Sequence, residues 1–163
     1  MKYGLRPAVT GAFLTFVACS PSAFAQSDAL YGQPISLEMA RIAANASVSE
    51  AAKHKWQVAV AVVDTSGELV FFERVDGTQT GSIGLAVEKA KTATAYKRST
   101  KLLEDRVREG RTQYLKQTGA IPIEGGLPIF LDGKVVGGLG VSGVRSEQDG
   151  ECAAAGVEAL RHL

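Results

Sequence analysis

Two pairs of apolar segments, each joined by a very short turn, constrain the fold most strongly. The valine-rich run 58–63 is followed by the turn Asp64-Thr65-Ser66-Gly67 and a second segment, 68–75. Later in the chain, segments 127–131 and 134–142 flank Asp132-Gly133, a dipeptide typical of two-residue hairpin turns. Turns this short join antiparallel neighbours, whereas parallel strands need a long crossover connection. We therefore predict two β-hairpins and exclude a doubly wound parallel sheet.

Segments with helical periodicity surround these hairpins. The predicted helices cover 37–53, 82–98, 101–109 and 146–160. Ser146-Glu147-Gln148-Asp149 has the pattern of a capping box at the start of the last helix, and capping alone accounts for Asp149. The order helix, hairpin, helices, hairpin, helix predicts a single α+β domain in which helices flank one antiparallel sheet.

The first 25 residues have the three-part pattern of a secretory signal peptide. Lys2 and Arg6 form a basic start, 8–18 is mostly apolar, and Ala23-Phe24-Ala25 is a cleavage motif before Gln26. The apolar stretch is shorter than the roughly 20 residues that a membrane-spanning helix needs. We predict a signal peptide over 1–25, a mature domain over 26–163, no membrane span, and export to the periplasm or the medium.

The charge balance argues against a nucleic-acid partner. The full chain has 18 basic and 17 acidic residues. The predicted leader carries two basic and no acidic residues, so its removal leaves 16 basic against 17 acidic residues, a net charge of −1. Nucleic-acid-binding domains usually carry a clear basic excess. Cleavage would also remove Cys19, and we expect the remaining thiol, Cys152, to be buried among the alanines around it.

The chain has two His and two Cys, and none of them stands at the spacing of a structural zinc site. The candidate metal ligand is instead His54, as a ligand of haem iron. Haem iron needs one axial ligand, which is often histidine. His54 lies in Lys53-His54-Lys55-Trp56, a basic and aromatic context suited to a macrocycle with propionates. The alternative interpretation is a solvent-facing histidine at the end of a helix.

The segment Gly138-Leu139-Gly140-Val141-Ser142-Gly143 matches the dinucleotide-binding pattern G-x-G-x-x-G. That site needs a later strand with an acidic residue, and here one helix leads to the end of the chain at Leu163. We instead interpret these glycines as places where a helix, a ligand or another subunit approaches the strand backbone.

A second group of polar residues suggests different chemistry. Arg74 and Asp76 follow the second strand, Arg98 has a guanidinium suited to a carboxylate, and Glu124 adjoins the Gly125-Gly126 backbone. Surface ion pairs explain these residues equally well. The neighbouring basic residues are expected on the solvent face of helices; they are Lys89, Lys91, Lys97, Arg98 and Lys101.

Taken together, these segments resemble the GlcG/HbpS-like family of small haem-binding proteins, also found as the C-terminal domain of some corrinoid adenosyltransferases. The matching motifs run from Tyr31 to about Leu160, and include Tyr31-Gly32-Gln33-Pro34-Ile35, Arg74-Val75-Asp76-Gly77, Thr100-Lys101-Leu102-Leu103-Glu104-Asp105, Glu124-Gly125-Gly126-Leu127-Pro128 and Gln148-Asp149. The resemblance implies a profilin-like α+β fold, symmetric homo-oligomers and haem or a related tetrapyrrole as ligand. His54 and Ser99 depart from the family pattern, which has Asn and Pro there.

The leading hypothesis is an exported haem- or tetrapyrrole-binding protein that acts as a carrier, scavenger or haem-linked sensor. Its candidate cofactor-binding residues are His54 (as the iron ligand), Lys53, Lys55, Gly125, Gly126 and Gln148. The first alternative is an enzyme that acts on a small carboxylate or aromatic acid in a cleft or at a subunit interface. Its candidate catalytic residues are Arg74, Asp76, Arg98 and Glu124. The second alternative is a structural oligomer without a ligand.

Overall fold

The computed structural model describes Met1 and residues 29–161, so all but the first residue of the predicted signal peptide lies outside the described residues. The helices are α1 (Leu37–Lys53), α2 (Gly81–Tyr96), α3 (Thr100–Arg108) and α4 (Ser146–Glu158), with a short 3-10 helix over Thr112–Lys116. The strands are β1 (Ala59–Asp64), β2 (Leu69–Arg74), β3 (Gly126–Leu131) and β4 (Lys134–Ser142). Both predicted hairpins and all four predicted helices are confirmed.

The strands form one antiparallel sheet in the order β2-β1-β4-β3. The two hairpins meet through their inner strands, because Ala59 of β1 pairs with Arg74 on one side and with Ser142 on the other. The segment before α1 extends this sheet, where the Gly32 N–H donates to the Val135 carbonyl at 2.8 Å. The predicted α+β class with an antiparallel sheet is confirmed. None of the described helices combines the length and the hydropathy needed to cross a membrane.

β1 lies between two hydrophobic clusters, because successive residues of a strand point to opposite faces of the sheet. Val60 and Val62 belong to the larger cluster with α1 and α4. Ala59 and Ala61 belong to a smaller cluster with α2. The helices therefore cover the sheet on both sides, and the prediction that this strand is buried on both faces is confirmed.

The glycines of β4 allow α2 to lie against the backbone of the sheet. A Cβ atom on Gly140 would overlap the carbonyl oxygen of Ala86, and one on Gly138 would overlap the hydroxyl of Thr94. Of the three occupants that the sequence allowed beside these glycines, the structure shows a helix. The G-x-G-x-x-G pattern thus serves packing at these two positions.

α1 and α4 pack closely through small residues on the other face. A Cβ atom on Gly156 of α4 would overlap the hydroxyl of Ser47 and approach the Ala43 carbonyl oxygen within 2.7 Å. Cys152 lies in the same cluster and is fully buried, as predicted. Burial raises the pKa of its thiol to about 12. The thiolate is the reactive form of cysteine, so full burial and the raised pKa both disfavour reaction of Cys152 in the folded protein.

Several helix ends differ from the prediction by one or two residues, and two differences have a clear local cause. α2 ends at Tyr96, since Lys97 adopts a left-handed conformation with φ of 53°. The N-cap of α4 is Arg145 and not Ser146, because the Gln148 side chain accepts a hydrogen bond from the Arg145 N–H at 3.2 Å. The predicted capping box was therefore displaced by one residue, and Asp149 is free for a different contact.

Candidate functional site

Most of the predicted site residues lie at one end of the sheet. The antiparallel order places the starts of β1 and β3 beside the ends of β2 and β4. His54 lies just before β1, Arg74 ends β2, and Gly126 begins β3. α4 also begins at this end. The residues nevertheless form separate regions, because β2 and β3 are opposite edges of the sheet.

The first region is the C-terminal end of α1. The His54 side chain is 47% exposed, and its ring stacks on that of Trp56 with centroids 4.3 Å apart. Its Nε2 atom lies 3.7 Å from Oε1 of Glu50, while Oε2 of the same carboxylate accepts a hydrogen bond from Lys53 at 2.6 Å. The hydrogen bond from Lys53 lowers the pKa of Glu50.

The chemistry of this donor set fits a haem. The half-exposed imidazole offers a nitrogen to iron, and haem iron takes a single histidine in many proteins. Lys53 and Lys55 are both exposed beside it, so propionates can reach their ammonium groups, that of Lys53 in exchange for its hydrogen bond to Glu50. Lys55 adopts a left-handed conformation with φ of 59°, which turns the chain sharply between α1 and β1. Trp56 adds an aromatic surface.

The second region is the loop Glu124-Gly125-Gly126, at the β3 edge. Its backbone is held by side chains of α3: the Glu124 N–H donates to Glu104 at 2.6 Å and the Gly126 N–H donates to Thr100 at 2.8 Å. The Glu124 carboxylate lies over the first turns of α4, where a Cβ atom on Gly150 would overlap it. Its side chain is 17% exposed, with Lys101 at 3.8 Å. Burial raises the pKa of Glu124, against the opposing charge of Lys101.

Gly125 and Gly126 contact protein on the side where a Cβ atom would project. Gly125 has φ of +124°, and its Cβ would lie 2.6 Å from the Val141 carbonyl oxygen and 2.8 Å from Nζ of Lys89. A Cβ on Gly126 would overlap the backbone of Lys89. These glycines therefore let the loop pack over α2, and glycine is needed at Gly125 for its backbone conformation as well.

A buried ion pair lies beneath this loop. Nζ of Lys89 donates to Oδ2 of Asp149 at 2.8 Å and to the Val141 carbonyl at 3.0 Å, and the two side chains are 0% and 3% exposed. Oδ1 of Asp149 accepts from the Val144 N–H at 3.2 Å. Burial raises the pKa of Asp149, while the adjacent Lys89 charge opposes that shift. The pair joins α2, β4 and α4.

The sequence-based expectations for both members of this pair were wrong. Lys89 was assigned to a solvent face because of its charge, and Asp149 was assigned to helix capping. A signal was present, since Lys89 follows Ala86 by three residues and precedes Ala93 by four, which puts it on the inner side of α2. The basic residues around Lys89 favoured a solvent face, and the prediction followed that composition instead of the spacing.

The remaining candidates lie apart from one another. Arg74 and Asp76 are exposed at the β2 edge. Arg98 lies between α2 and α3, where its Nε donates to the Tyr96 carbonyl at 3.0 Å. The structure therefore brings Glu124, Gly125, Gly126 and Gln148 together near the start of α4, and it groups His54 with Lys53 and Lys55 at the end of α1. It does not assemble Arg74, Asp76, Arg98 and Glu124 into one site.

Comparison with known proteins connects this fold to a family. A family model described as "Haem degrading protein HbpS-like" matches residues 35–158. Protein GlcG of Escherichia coli K12 is 36% identical over 108 residues, which are 66% of this chain and 81% of GlcG. The corrinoid adenosyltransferase PduO of Salmonella typhimurium is 34% identical over 119 residues, 71% of this chain and 35% of PduO.

Two solved structures share the fold. A double mutant of HbpS from Streptomyces reticuli superposes with a TM-score of 0.74 at 33% identity, covering 89% of this chain and 99% of that one. A PduOC:haem complex superposes with a TM-score of 0.71 at 31% identity, covering 78% of this chain and 96% of that one.

Proposed function

Because this chain belongs to the HbpS-like family, we propose that it is an exported protein that binds haem or a related tetrapyrrole. The observation that carries the proposal is the likeness to PduOC, which was solved as a haem complex and superposes on 78% of this chain. The family description, which names haem degradation, supports the same ligand class. Haem would supply an iron centre for a carrier, scavenger or sensor role.

We propose that His54 is the axial ligand. Its ring is held against Trp56 and half of its side chain is accessible, so a macrocycle can reach it without opening the core. Lys53 and Lys55 are proposed to receive the propionates, because an ammonium and a carboxylate form a charge-assisted hydrogen bond. Of the other predicted cofactor-binding residues, Gly125 and Gly126 lie against Lys89 within the protein. Gln148 is therefore the remaining candidate for a contact with the macrocycle, farther from the iron.

A haem titration tests the ligand and its assignment. We expect saturable growth of a Soret band in the wild type, and a weakened or spectrally changed complex for His54→Ala. His162→Ala is the matched control, since the chain contains two histidines. Absence of saturable binding at micromolar protein would overturn the proposed function. Binding with an identical spectrum in His54→Ala would overturn the iron ligand alone.

Export is proposed from the signal-peptide pattern of residues 1–25. Expression with an intact secretion system should yield a mature chain that begins at Gln26, as measured by intact mass of the exported fraction. Ala25→Leu should block cleavage at this position, because signal cleavage motifs require small residues there. An uncleaved cytoplasmic product in the wild type would contradict export and leave haem binding unaffected.

A second candidate function rests on Glu124. Its side chain is 17% exposed, its pKa is raised by burial, and its backbone is anchored to α3, as expected for a positioned acid or base. We propose this region as the site if the protein is an enzyme that acts on a small carboxylate or aromatic acid. A thermal-shift panel of such acids would detect a ligand, because binding at tenfold above Kd adds about 1.4 kcal/mol of stability. Loss of the shift in Glu124→Gln, with retention in the exposed control Glu38→Gln, would assign the site.

We also propose that the protein associates with itself, as its resemblance to the family implies. Sedimentation velocity over a range of concentrations tests this directly.

A further inference from the structure

The two edges of the sheet differ in how far they are protected against pairing with another strand. At the β3 edge, Pro128 has no N–H to donate, the register shifts between Ile129 and Phe130, and Thr100 of α3 bonds to the first residue. Prolines, bulges and covering elements are the usual means by which an edge is blocked. In β2, the register shift lies opposite Val62 and Val63, and the stretch from Phe71 to Val75 is regular.

The backbone groups of this regular stretch point to the open edge at alternate residues. The Val75 N–H donates to the Val58 carbonyl at 3.0 Å, and Arg74 lies opposite Ala59. Hydrogen-bonded and non-bonded pairs alternate along an antiparallel ladder. Phe72 and Arg74 therefore direct their N–H and carbonyl groups away from β1.

The side chains of β2 leave apolar surface at the same edge. α2 packs over β1, β3 and β4. Beside β1, Phe72 is half-buried and Leu69 is 52% exposed. On the other face, the Arg41 guanidinium of α1 lies 5.8 Å above the ring of Phe71. Glu73 points to the face of Phe71, because it follows that residue by two positions.

We propose that β2 pairs antiparallel with β2 of a second copy of this chain, about a two-fold axis at Phe72. This proposal rests on the proposed self-association and names its surface. Phe72 then lies opposite Phe72 of the partner subunit, and the two half-buried aromatic rings cover each other's exposed surface. Phe71 lies opposite Glu73 of the partner subunit, which places that carboxylate beside Arg41.

The neighbouring registers are less favourable. Residues directly opposite each other in an antiparallel pair share a face of the sheet. The neighbouring registers therefore have the two-fold axis at Phe71 or at Glu73 instead of Phe72. One of them places Glu73 opposite Glu73 of the partner subunit, and like charges directly opposite each other destabilise a sheet. The other places Phe71 opposite Phe71 of the partner subunit, so that Glu73 no longer lies opposite Phe71 and its carboxylate is not beside Arg41. The two-fold at Phe72 keeps the two Glu73 carboxylates apart and creates two Arg41–Glu73 contacts by symmetry.

Charge reversal tests this surface by sedimentation velocity of the full mature protein. We expect Arg41→Glu and Glu73→Arg each to weaken one association step at least about tenfold, and the double variant to restore it, because the exchanged charges attract again. Phe130→Lys on the blocked β3 edge is the matched control and should leave association unchanged. Circular dichroism establishes that each variant is folded.

The outcomes separate the surface from the proposals on which it rests. Association that is unchanged in both single variants, or that the double variant fails to restore, would overturn the β2 interface while self-association stands. A monomeric wild type at every concentration would overturn both. Haem binding is judged independently, by the titration of the wild type and His54→Ala.

Discussion

Two lysine–carboxylate pairs lie at the same end of the sheet and differ in burial. Lys89 and Asp149 are 2.8 Å apart with side chains 0% and 3% exposed, whereas Lys53 and Glu50 are 2.6 Å apart with side chains 66% and 25% exposed. The buried pair joins three elements, while the exposed pair lies within one helix. Similar distances therefore accompany different roles: the first pair belongs to the core, and the second to the exposed end of α1.

Removal of the buried lysine should have the largest effect. Lys89→Met leaves Asp149 buried without its partner, and breaking a buried pair in this way costs about 3–5 kcal/mol. Urea denaturation measures the free energy of unfolding. Lys53→Met is the matched control, and we expect a far smaller change there because surface pairs contribute little. Equal losses in both variants would show that the two pairs do not differ as described.

The loop above the buried pair should be the next most sensitive. Gly125→Ala adds a methyl group 2.8 Å from Nζ of Lys89 at a backbone φ of +124°. Overpacking and the unfavourable backbone conformation together predict a loss of about 1–3 kcal/mol in the free energy of unfolding. Gly84→Ala in α2 is the control, since its new Cβ meets nothing within 4 Å. That variant should be as stable as the wild type or more stable, because alanine favours helix over glycine.

Removal of the exposed histidine should hardly change stability. His54→Ala deletes a stacking contact with Trp56 at the surface, and such substitutions usually stay within about 0.5 kcal/mol. Urea denaturation of the wild type and His54→Ala without haem measures this. A large loss of stability would mean that His54 supports the fold, and the titration of His54→Ala would then have to be repeated with His54→Gln.

The two pairs should also respond to pH in opposite directions. Glu50 has a lowered pKa in the folded protein, so it contributes stability above its ordinary value of 4.5 that is lost as the pH falls through the lowered pKa. Asp149 has a raised pKa, so its contribution is present below its ordinary value and is lost as the pH rises through the raised pKa. Glu50→Gln should therefore lose slightly less stability than the wild type on acidification below pH 4.5, measured by urea denaturation at several pH values. A steeper acid loss in Glu50→Gln would reverse the assignment.

The contrast between these pairs also marks how far sequence reasoning reached. Apolar periodicity and turn chemistry are local signals, and they located every helix and strand to within about two residues. The prediction failed at Lys89 because its charge suggested a solvent face, whereas its partner stands 60 residues away in α4. It failed in the same way at Asp149, where local capping accounted for a residue that the core needs. The spacing of Lys89 within α2 indicated an inward position, but the identity of a partner 60 residues away leaves no local pattern in a single sequence.

The glycine motifs show the same division. Gly138 and Gly140 indicated that another group lies close to the β4 backbone. From the sequence, that group could be a helix, a ligand or another subunit. Only the packed structure identifies α2 as that occupant.

The sequence by itself determined the hairpins, the helices, the antiparallel sheet and the resemblance to a family, because each depends on residues close together in the chain. Tertiary structure alone decided which charges are buried, which glycines pack against helices, and which sheet edge stays open. It also decided that His54 and Glu124 belong to separate regions. These outcomes depend on how α2 and α4 pack against the sheet, and burial of a side chain is a property of the assembled layers.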